Sequence, residues 1–162
     1  MLLSYEKILK LVKEKSLIEN FSLECLSSSG YDLRIGKIYK IKTPGFIGSK
    51  KHKSPKIEEL NFSEYELKPN EYLLVETIER VNMPENLAGR ILPRSSLFRM
   101  GCSVETALID PGFKGTLTIG LKNLSENEFK FEKGARIAQL IFEEVSEGGK
   151  PYNGRYQGGK VV

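Results

Sequence analysis

The sequence predicts a mainly β fold, namely a sandwich, jelly roll or barrel preceded by one short helix. Fifteen glycines and seven prolines among 162 residues mark many turns. Apolar stretches of strand length recur between those turns at a spacing of about 8–12 residues, which is typical of all-β domains. The sequence contains no internal repeat and no domain boundary. We therefore expect one β domain over residues 1–145, with residues 146–162 as a flexible lid segment of the same domain.

The individual elements follow from hydrophobic periodicity. Apolar residues at helical spacing predict a helix from Ser4 to about Lys15, with Ser4 as its N-cap. Residues 31–35 alternate as in a strand, Gly36 interrupts the pattern, and residues 38–41 resume it. Further strands are predicted at residues 71–81, 87–92, 116–122, 128–131 and 135–145.

Composition and charge exclude several classes of protein. A net charge of +4 is modest, and the basic run Lys50–Lys53 lies in a predicted loop at 42–56 without interleaved aromatic residues. That pattern favours a solvated loop over a nucleic-acid interface. No apolar run approaches the ~18 residues that a membrane span requires. The charged stretch 6–15 argues against a signal peptide, so we expect a cytoplasmic protein without membrane or nucleic-acid partners.

The cysteines and the histidine limit the metal chemistry. Cys25 and Cys102 are isolated in the sequence and are expected to be buried thiols. His52 is the only histidine, so a zinc site of the usual nitrogen and sulfur ligands cannot be assembled. Zinc-dependent nucleotide deamination is therefore excluded.

The first stretch with chemical potential runs from Gly89 to Arg99. Pro93 ends a strand, and the hydroxyls of Ser95 and Ser96 precede a predicted helical turn. A helix N-terminus presents free N–H groups that suit phosphate, and the planar guanidinium of Arg94 can grip two phosphate oxygens. The alternative is that the serine caps the helix while the arginine forms a surface ion pair.

The second stretch is the segment 107–115. Asp110, Pro111 and Gly112 fit a type II turn between apolar runs, which predicts a hairpin with Asp110 and Phe113 at its tip. A carboxylate held there can act as a general base towards water. Alternatively, it bonds only the turn backbone, as aspartates in turns often do.

The third stretch is a predicted strand within residues 131–141, whose two faces are apolar except for Gln139. Because a buried amide without a partner costs about 1–3 kcal/mol, this side chain pairs with protein or donates to a bound phosphate. The glycine-rich residues 146–162 that follow hold few apolar side chains. They form either a frayed tail or a segment that orders over a ligand.

Together these stretches resemble the trimeric dUTP diphosphatases (dUTPases) and the related dCTP deaminases. Residues 29–33 resemble the first motif of that superfamily, and residues 89–97, 108–115, 133–141 and the glycine-rich tail resemble the other four in order. The resemblance implies a jelly roll or distorted β-barrel and a homotrimer with active sites at subunit interfaces. It also implies Mg²⁺ bound by the triphosphate of a small-molecule substrate, dUTP.

The resemblance assigns a role to each matched residue. Asp110 matches the catalytic base that orients or deprotonates the attacking water, and Arg94 matches a catalytic contact to phosphate. Phe113 matches the ring that packs on the deoxyribose and disfavours a 2′-hydroxyl, and Asp32 matches a residue that holds the metal through water. The other implied substrate-binding residues are Ser95, Ser96 and Gln139 at the phosphates, Ala107, Leu108 and Ile109 at the base, Tyr152, Arg155, Tyr156 and Gln157 in the closing tail, and Arg99.

Position 120 separates the two branches of the superfamily. Gly120 stands where the resemblance to dCTP deaminases places a catalytic glutamate, and deamination without zinc needs such a general acid and base. The nearest acids in sequence, Glu105 and Glu126, could replace it only if the fold brought them there. We therefore expect a dUTP diphosphatase. A dCTP deaminase, mono- or bifunctional, and a non-catalytic nucleotide-binding β module are the alternatives.

Overall fold

The computed structural model describes residues 1–146 and 150–162 and confirms the mainly β class. The helices are α1 (Tyr5–Lys15) and α2 (Ser95–Arg99), and Leu23–Cys25 form a 3-10 turn. The strands are β1 (Ile18–Glu19), β2 (Leu26–Ser27), β3 (Gly30–Ile41), β4 (Phe46–Ile47), β5 (His52–Lys53), β6 (Ile57–Leu60), β7 (Glu64–Leu67), β8 (Tyr72–Asn82), β9 (Leu87–Pro93), β10 (Cys102–Glu105), β11 (Lys114–Asn123), β12 (Phe129–Glu132) and β13 (Arg136–Glu144).

The predicted N-terminal helix is present as α1. Ser4 occupies the N-cap position with an extended backbone, but its side chain makes no capping hydrogen bond. The helix ends where Ser16 adopts a left-handed φ of 51°. Ile8 is fully buried on the face towards the sheet, so packing of that face, rather than the serine cap, anchors the helix.

The main sheet is a jelly-roll barrel that is nearly closed. Its strands follow the order β10-β11-β8-β3-β13-β9, and every neighbouring pair is antiparallel. The two ends of this order meet where Gly89 of β9 and Ile109, just before β11, exchange two backbone hydrogen bonds of 2.9 and 2.8 Å. The contact leaves few unpaired strand edges and brings the segment before β11 against β9.

Two of the differences from the sequence prediction concern Gly36 and the segment 42–67. Gly36 does not end a strand, because β3 runs through it with a shift of register against β8. A Cβ atom at position 36 would lie 3.0 Å from the Glu76 carbonyl oxygen, so glycine marks a close approach of two strands. The predicted loop 42–56 contains the small hairpin β4–β5, and β6 and β7 follow without having been predicted.

Burial confirms the expectation for the two cysteines. Cys25 and Cys102 are free thiols with only 1% and 2% of their surfaces exposed. Within the part of the chain that the structure describes, no helix is long and apolar enough to cross a membrane.

A buried carboxylate ties β3 to β8. Glu79 has no exposed surface, and its oxygens accept hydrogen bonds from the Arg34 side chain at 2.6 Å, the Arg34 main chain at 2.9 Å and the Tyr31 hydroxyl at 3.3 Å. Burial raises the pKa of Tyr31, so this hydroxyl remains a protonated donor at neutral pH. Each of these partners is itself buried or half-buried. Removing the carboxylate would therefore leave several polar groups without a hydrogen-bond partner.

We expect Glu79→Ala to lower the free energy of unfolding by about 3–5 kcal/mol, the typical cost of breaking a buried ion pair. The matched control is Glu143→Ala. It removes an exposed ion pair to Arg90 and should cost less than about 1 kcal/mol. Urea denaturation of both variants measures the difference, and equal losses would show that the buried network does not stabilise the barrel.

Candidate functional site

The Asp110–Phe113 turn forms as the Pro-Gly pair predicts. Gly112 has a φ of 80°, and the N–H of Phe113 donates to the carbonyl of Asp110 at 3.1 Å. The turn is not the tip of a simple two-stranded hairpin, because Ile109 on its N-terminal side pairs with Gly89 of β9 and not with β11. The bridge that closes the barrel therefore fixes the residue immediately before Asp110.

A cavity of about 260 Å³ lies beside this turn. Asp110 is the one carboxylate among its described lining residues, and the lining is otherwise mostly apolar. Seven of the residues singled out in the sequence line it, namely Ala107, Leu108, Ile109, Asp110, Phe113, Tyr152 and Tyr156. Six more were not anticipated, namely Ile91, Thr116, Leu117, Thr118, Gly159 and Lys160. An apolar pocket with few polar groups is the usual form of a small-molecule site.

The end of the chain folds over its own turn. The N–H of Tyr152 donates to the carbonyl of Pro111 at 2.7 Å, and the N–H of Gly158 donates to Lys114 at 2.8 Å. The rings of Tyr152 and Phe113 pack edge to face with centroids 5.7 Å apart. Gly159 lies so close to β11 that a Cβ atom there would be 2.5 Å from a backbone nitrogen. Four residues of this tail therefore line one wall of the cavity, namely Tyr152, Tyr156, Gly159 and Lys160. Residues 147–149 of the predicted lid lie outside the described residues.

Two threonines on β11 face this side of the sheet. The hydroxyl of Thr116 donates to Glu76 at 3.0 Å and to the Gly159 carbonyl at 3.3 Å. The Oγ1 atom of Thr118 is buried and has no hydrogen-bond partner among the described residues. An unpaired buried hydroxyl is costly, and the residue that carries it belongs to the described lining of the cavity.

Gly120 lies next on the same face of β11, and Tyr72 from β8 occupies the space above it. A Cβ atom at position 120 would be 2.8 Å from the Tyr72 Cζ atom and closer still to its hydroxyl. Glu105 is the direct strand partner of Gly120 on β10, and its exposed carboxylate accepts a long 3.4 Å hydrogen bond from Ser103. Burial, together with the charge of Glu105, raises the pKa of Tyr72, so this hydroxyl is a neutral donor.

A second group of predicted residues lies together around Asp32. Its carboxylate is 3.0 Å from the Arg94 Nε atom and 3.8 Å from the Arg136 guanidinium. Burial raises the pKa of Asp32, whereas these two guanidinium groups act in the opposite direction. Arg94 also donates to the Arg136 main-chain carbonyl at 3.2 Å. The cluster carries net positive charge, which suits an anionic ligand.

Gln139 belongs to this cluster through strand register. It pairs with Asp32 on β3, and its amide donates to the Ser27 hydroxyl at 2.9 Å. A Cβ atom at position 30 would lie 2.9 Å from the glutamine side chain, so Gly30 leaves the room that this side chain fills. The half-buried amide thus has a protein partner and lies one strand away from Arg94.

The remaining predicted residues are more scattered. Ser95 and Ser96 are exposed at the start of α2, beside Arg94. The guanidinium of Arg99 lies 5.3 Å from the centroid of the neighbouring Phe98 ring. Arg155 is exposed in the tail, and Gln157 bonds the Asp110–Phe113 turn.

The chain thus presents two separate groups, the cavity beside Asp110 and the basic cluster around Arg94. The described lining of the cavity includes neither Arg94 nor Gln139. Strand alternation in β11 could have revealed Thr116 and Thr118, because their neighbours Leu117 and Ile119 face the core. The described residues contain no group of three or more His, Cys, Asp or Glu side chains that could hold a metal ion.

Comparison with known proteins shows the family of this chain. A family model described as dCTP deaminase-like matches residues 2–145. A probable deoxyuridine 5′-triphosphate nucleotidohydrolase of Methanothermobacter thermautotrophicus is 38% identical over 143 residues, covering 88% of this chain and 94% of that protein. A dCTP deaminase of Pyrococcus horikoshii is 35% identical over 148 residues, covering 91% and 88% of the two chains.

A solved structure shows the same fold at low sequence identity. The 2′-deoxycytidine 5′-triphosphate deaminase from Agrobacterium tumefaciens superposes with a TM-score of 0.71 at 16% identity over 87% of this chain. This chain spans about half of that one, since the match covers 48% of its length. The family match covers most of the present sequence, and both relatives align over nearly their whole length. The chain therefore belongs to the dCTP deaminase-like family.

Proposed function

We propose that this chain hydrolyses dUTP to dUMP and pyrophosphate, with Asp110 as the base. The observation that carries the proposal is that Asp110 supplies the one carboxylate in the described lining of the cavity. At position 120 the chain has glycine, and a tyrosine ring fills the space above it. Hydrolysis of a phosphoanhydride needs a positioned water, a base and positive charge near the phosphates.

In the proposed reaction the oxygen of a water molecule attacks the α-phosphorus in line with the leaving oxygen. Asp110 accepts a proton from that water, the bond to the bridging oxygen breaks, and pyrophosphate leaves. Phe113 stacks on the deoxyribose, and its edge-to-face contact with Tyr152 holds the ring in place. The main chain at Ala107, Leu108 and Ile109 reads the base, within the apolar part of the cavity.

The phosphate-binding half of the site is the basic cluster around Arg94. Ser95, Ser96, Arg99 and Gln139 accompany it as proposed phosphate or substrate contacts. Because that cluster is not in the described lining of the Asp110 cavity, we propose a homotrimer in which one subunit supplies Asp110 and its neighbour supplies Arg94. Tyr152, Tyr156 and the exposed Arg155 then close the site from the tail.

Magnesium is proposed to arrive with the triphosphate, where it offsets charge on the phosphate oxygens. The absence of a ligand cluster among the described residues is compatible with a metal held mainly by phosphate. A role for Asp32 in holding the water shell of that metal stays a prediction. In the single chain its carboxylate is engaged by Arg94 at 3.0 Å.

Deamination of dCTP is the second candidate, and one observation favours it. Glu105 lies directly across from Gly120, so an acid is present on the neighbouring strand of the same face. Its carboxylate is exposed, however, and the Tyr72 hydroxyl occupies the nearest space above Gly120. A general acid and base for deamination would have to reach the pyrimidine past that ring, and this supports our choice of hydrolysis as the first candidate.

We expect Asp110→Asn to bind dUTP and to release pyrophosphate about 10²–10⁴-fold more slowly than the unaltered chain, because the base is lost while the shape is kept. Steady-state pyrophosphate release and nucleotide binding by calorimetry measure the two effects. The matched control is Asn153→Ala, which alters an exposed tail residue and should leave the rate unchanged. Full activity of the asparagine variant would refute the assignment of the base.

A site shared between two subunits leads to a separate prediction for trimers assembled from two different variants. Arg94→Ala and Asp110→Asn should each be nearly inactive. A co-refolded 1:1 mixture should recover about a quarter of the normal activity per site, because random assembly joins the two intact halves in one site of four. Activity that stays at the level of the single variants would show that one subunit supplies both halves.

A further inference from the structure

The side chain of Gln157 bridges the tail and the Asp110–Phe113 turn. Its Oε1 atom accepts a hydrogen bond from the N–H of Lys114 at 2.8 Å. Its Nε2 atom donates to the carbonyl of Gly112 at 3.0 Å and to that of Tyr152 at 3.3 Å. One amide therefore binds the backbone on both sides of Phe113 and also fixes the start of the tail.

The turn is held from the opposite side by the residue that follows β8. The N–H of Gly112 donates to the carbonyl of Met83 at 3.1 Å, and the N–H of Met83 donates to Phe113 at 2.8 Å. Phe113 is thus clamped between Met83 and Gln157, with 8% of its surface exposed. The Met83 contact belongs to the barrel, whereas the glutamine contact exists only when the tail is docked.

Only an amide side chain of this length meets these requirements. The contacts need an acceptor for one N–H and a donor for two carbonyls in a single planar group. A glutamate would place a carboxylate oxygen against the carbonyls of Gly112 and Tyr152, and an asparagine is one methylene too short. An alanine would leave the N–H of Lys114 without this partner.

We propose that Gln157 is a positioning residue that sets the Phe113 ring and thereby the preference for a deoxyribose over a ribose substrate. This inference rests on the proposed function, because it concerns the sugar wall of the same site. Gln157 acts through the turn and not by contact with the nucleotide, which departs from the direct role that the sequence resemblance implies. Docking of the tail then fixes the Phe113 ring against the sugar at the same time as the tail closes over the site.

The experiment compares Gln157→Ala and Gln157→Glu with the control Asn153→Ala. For each protein, kcat/KM is measured for dUTP and for UTP. We expect the dUTP-to-UTP ratio to fall about tenfold in both glutamine variants, a change that corresponds to roughly 1.4 kcal/mol of lost discrimination. The control should keep the ratio. A general loss of folded protein would lower both values equally, so an unchanged ratio in the glutamine variants overturns the proposal.

Hydrogen exchange tests the clamp independently of activity. In the unaltered protein the amide protons of Lys114 and Gly158 bond across the contact between tail and turn. We expect both to exchange about tenfold faster in Gln157→Ala and at the normal rate in Asn153→Ala. Unchanged exchange in the glutamine variant overturns the clamp. If the unaltered chain cleaves neither nucleotide, the proposed function fails, while the exchange rates still decide whether Gln157 holds the turn.

Discussion

The bridge between Gly89 and Ile109 is the contact on which the rest of the site depends. Its two hydrogen bonds join the ends of the strand order and hold the chain one residue before Asp110. A Cβ atom at position 89 would lie 3.2 Å from the Ile109 side chain and 3.0 Å from Leu140, so only glycine allows this approach without displacement. The same contact therefore closes the barrel and holds the residue that precedes the carboxylate.

Sequence periodicity predicted the long helices and strands, because one face of each must be apolar to be buried. Strand β8 alternates between buried and half-exposed residues along nearly its whole length, and α1 buries one face. The short strands β6 and β7 were not predicted, since half of the residues in each are glutamates and their pairing depends on strands that are distant in sequence. Gly36 was misinterpreted for a similar reason. Whether a glycine ends a strand or admits a neighbouring backbone depends on contacts that are remote in sequence.

In the candidate site, too, some features are determined by the local sequence and others by contacts with residues that are distant in the sequence. The turn at Asp110 is encoded locally by Pro111 and Gly112, and the sequence predicted it. The placement of Tyr72 over Gly120 depends on the register of β8 against β11, which no local pattern reveals. The bond between Gln157 and the turn depends on how the tail docks. Sequence motifs therefore singled out seven of the thirteen described lining residues of the cavity, whereas the structure divides the proposed site residues among a cavity, a basic cluster and a clamp.

The reaction class depends on whether the carboxylate beside the cavity activates water towards phosphorus or whether an acid near Gly120 serves the pyrimidine ring. One incubation measures this directly. The unaltered protein is supplied with Mg²⁺ and, in separate reactions, with dUTP, dCTP, dTTP and UTP, while pyrophosphate and ammonia are measured together. We predict pyrophosphate from dUTP and no ammonia from dCTP. Release of ammonia from dCTP, with or without pyrophosphate, would contradict the assignment.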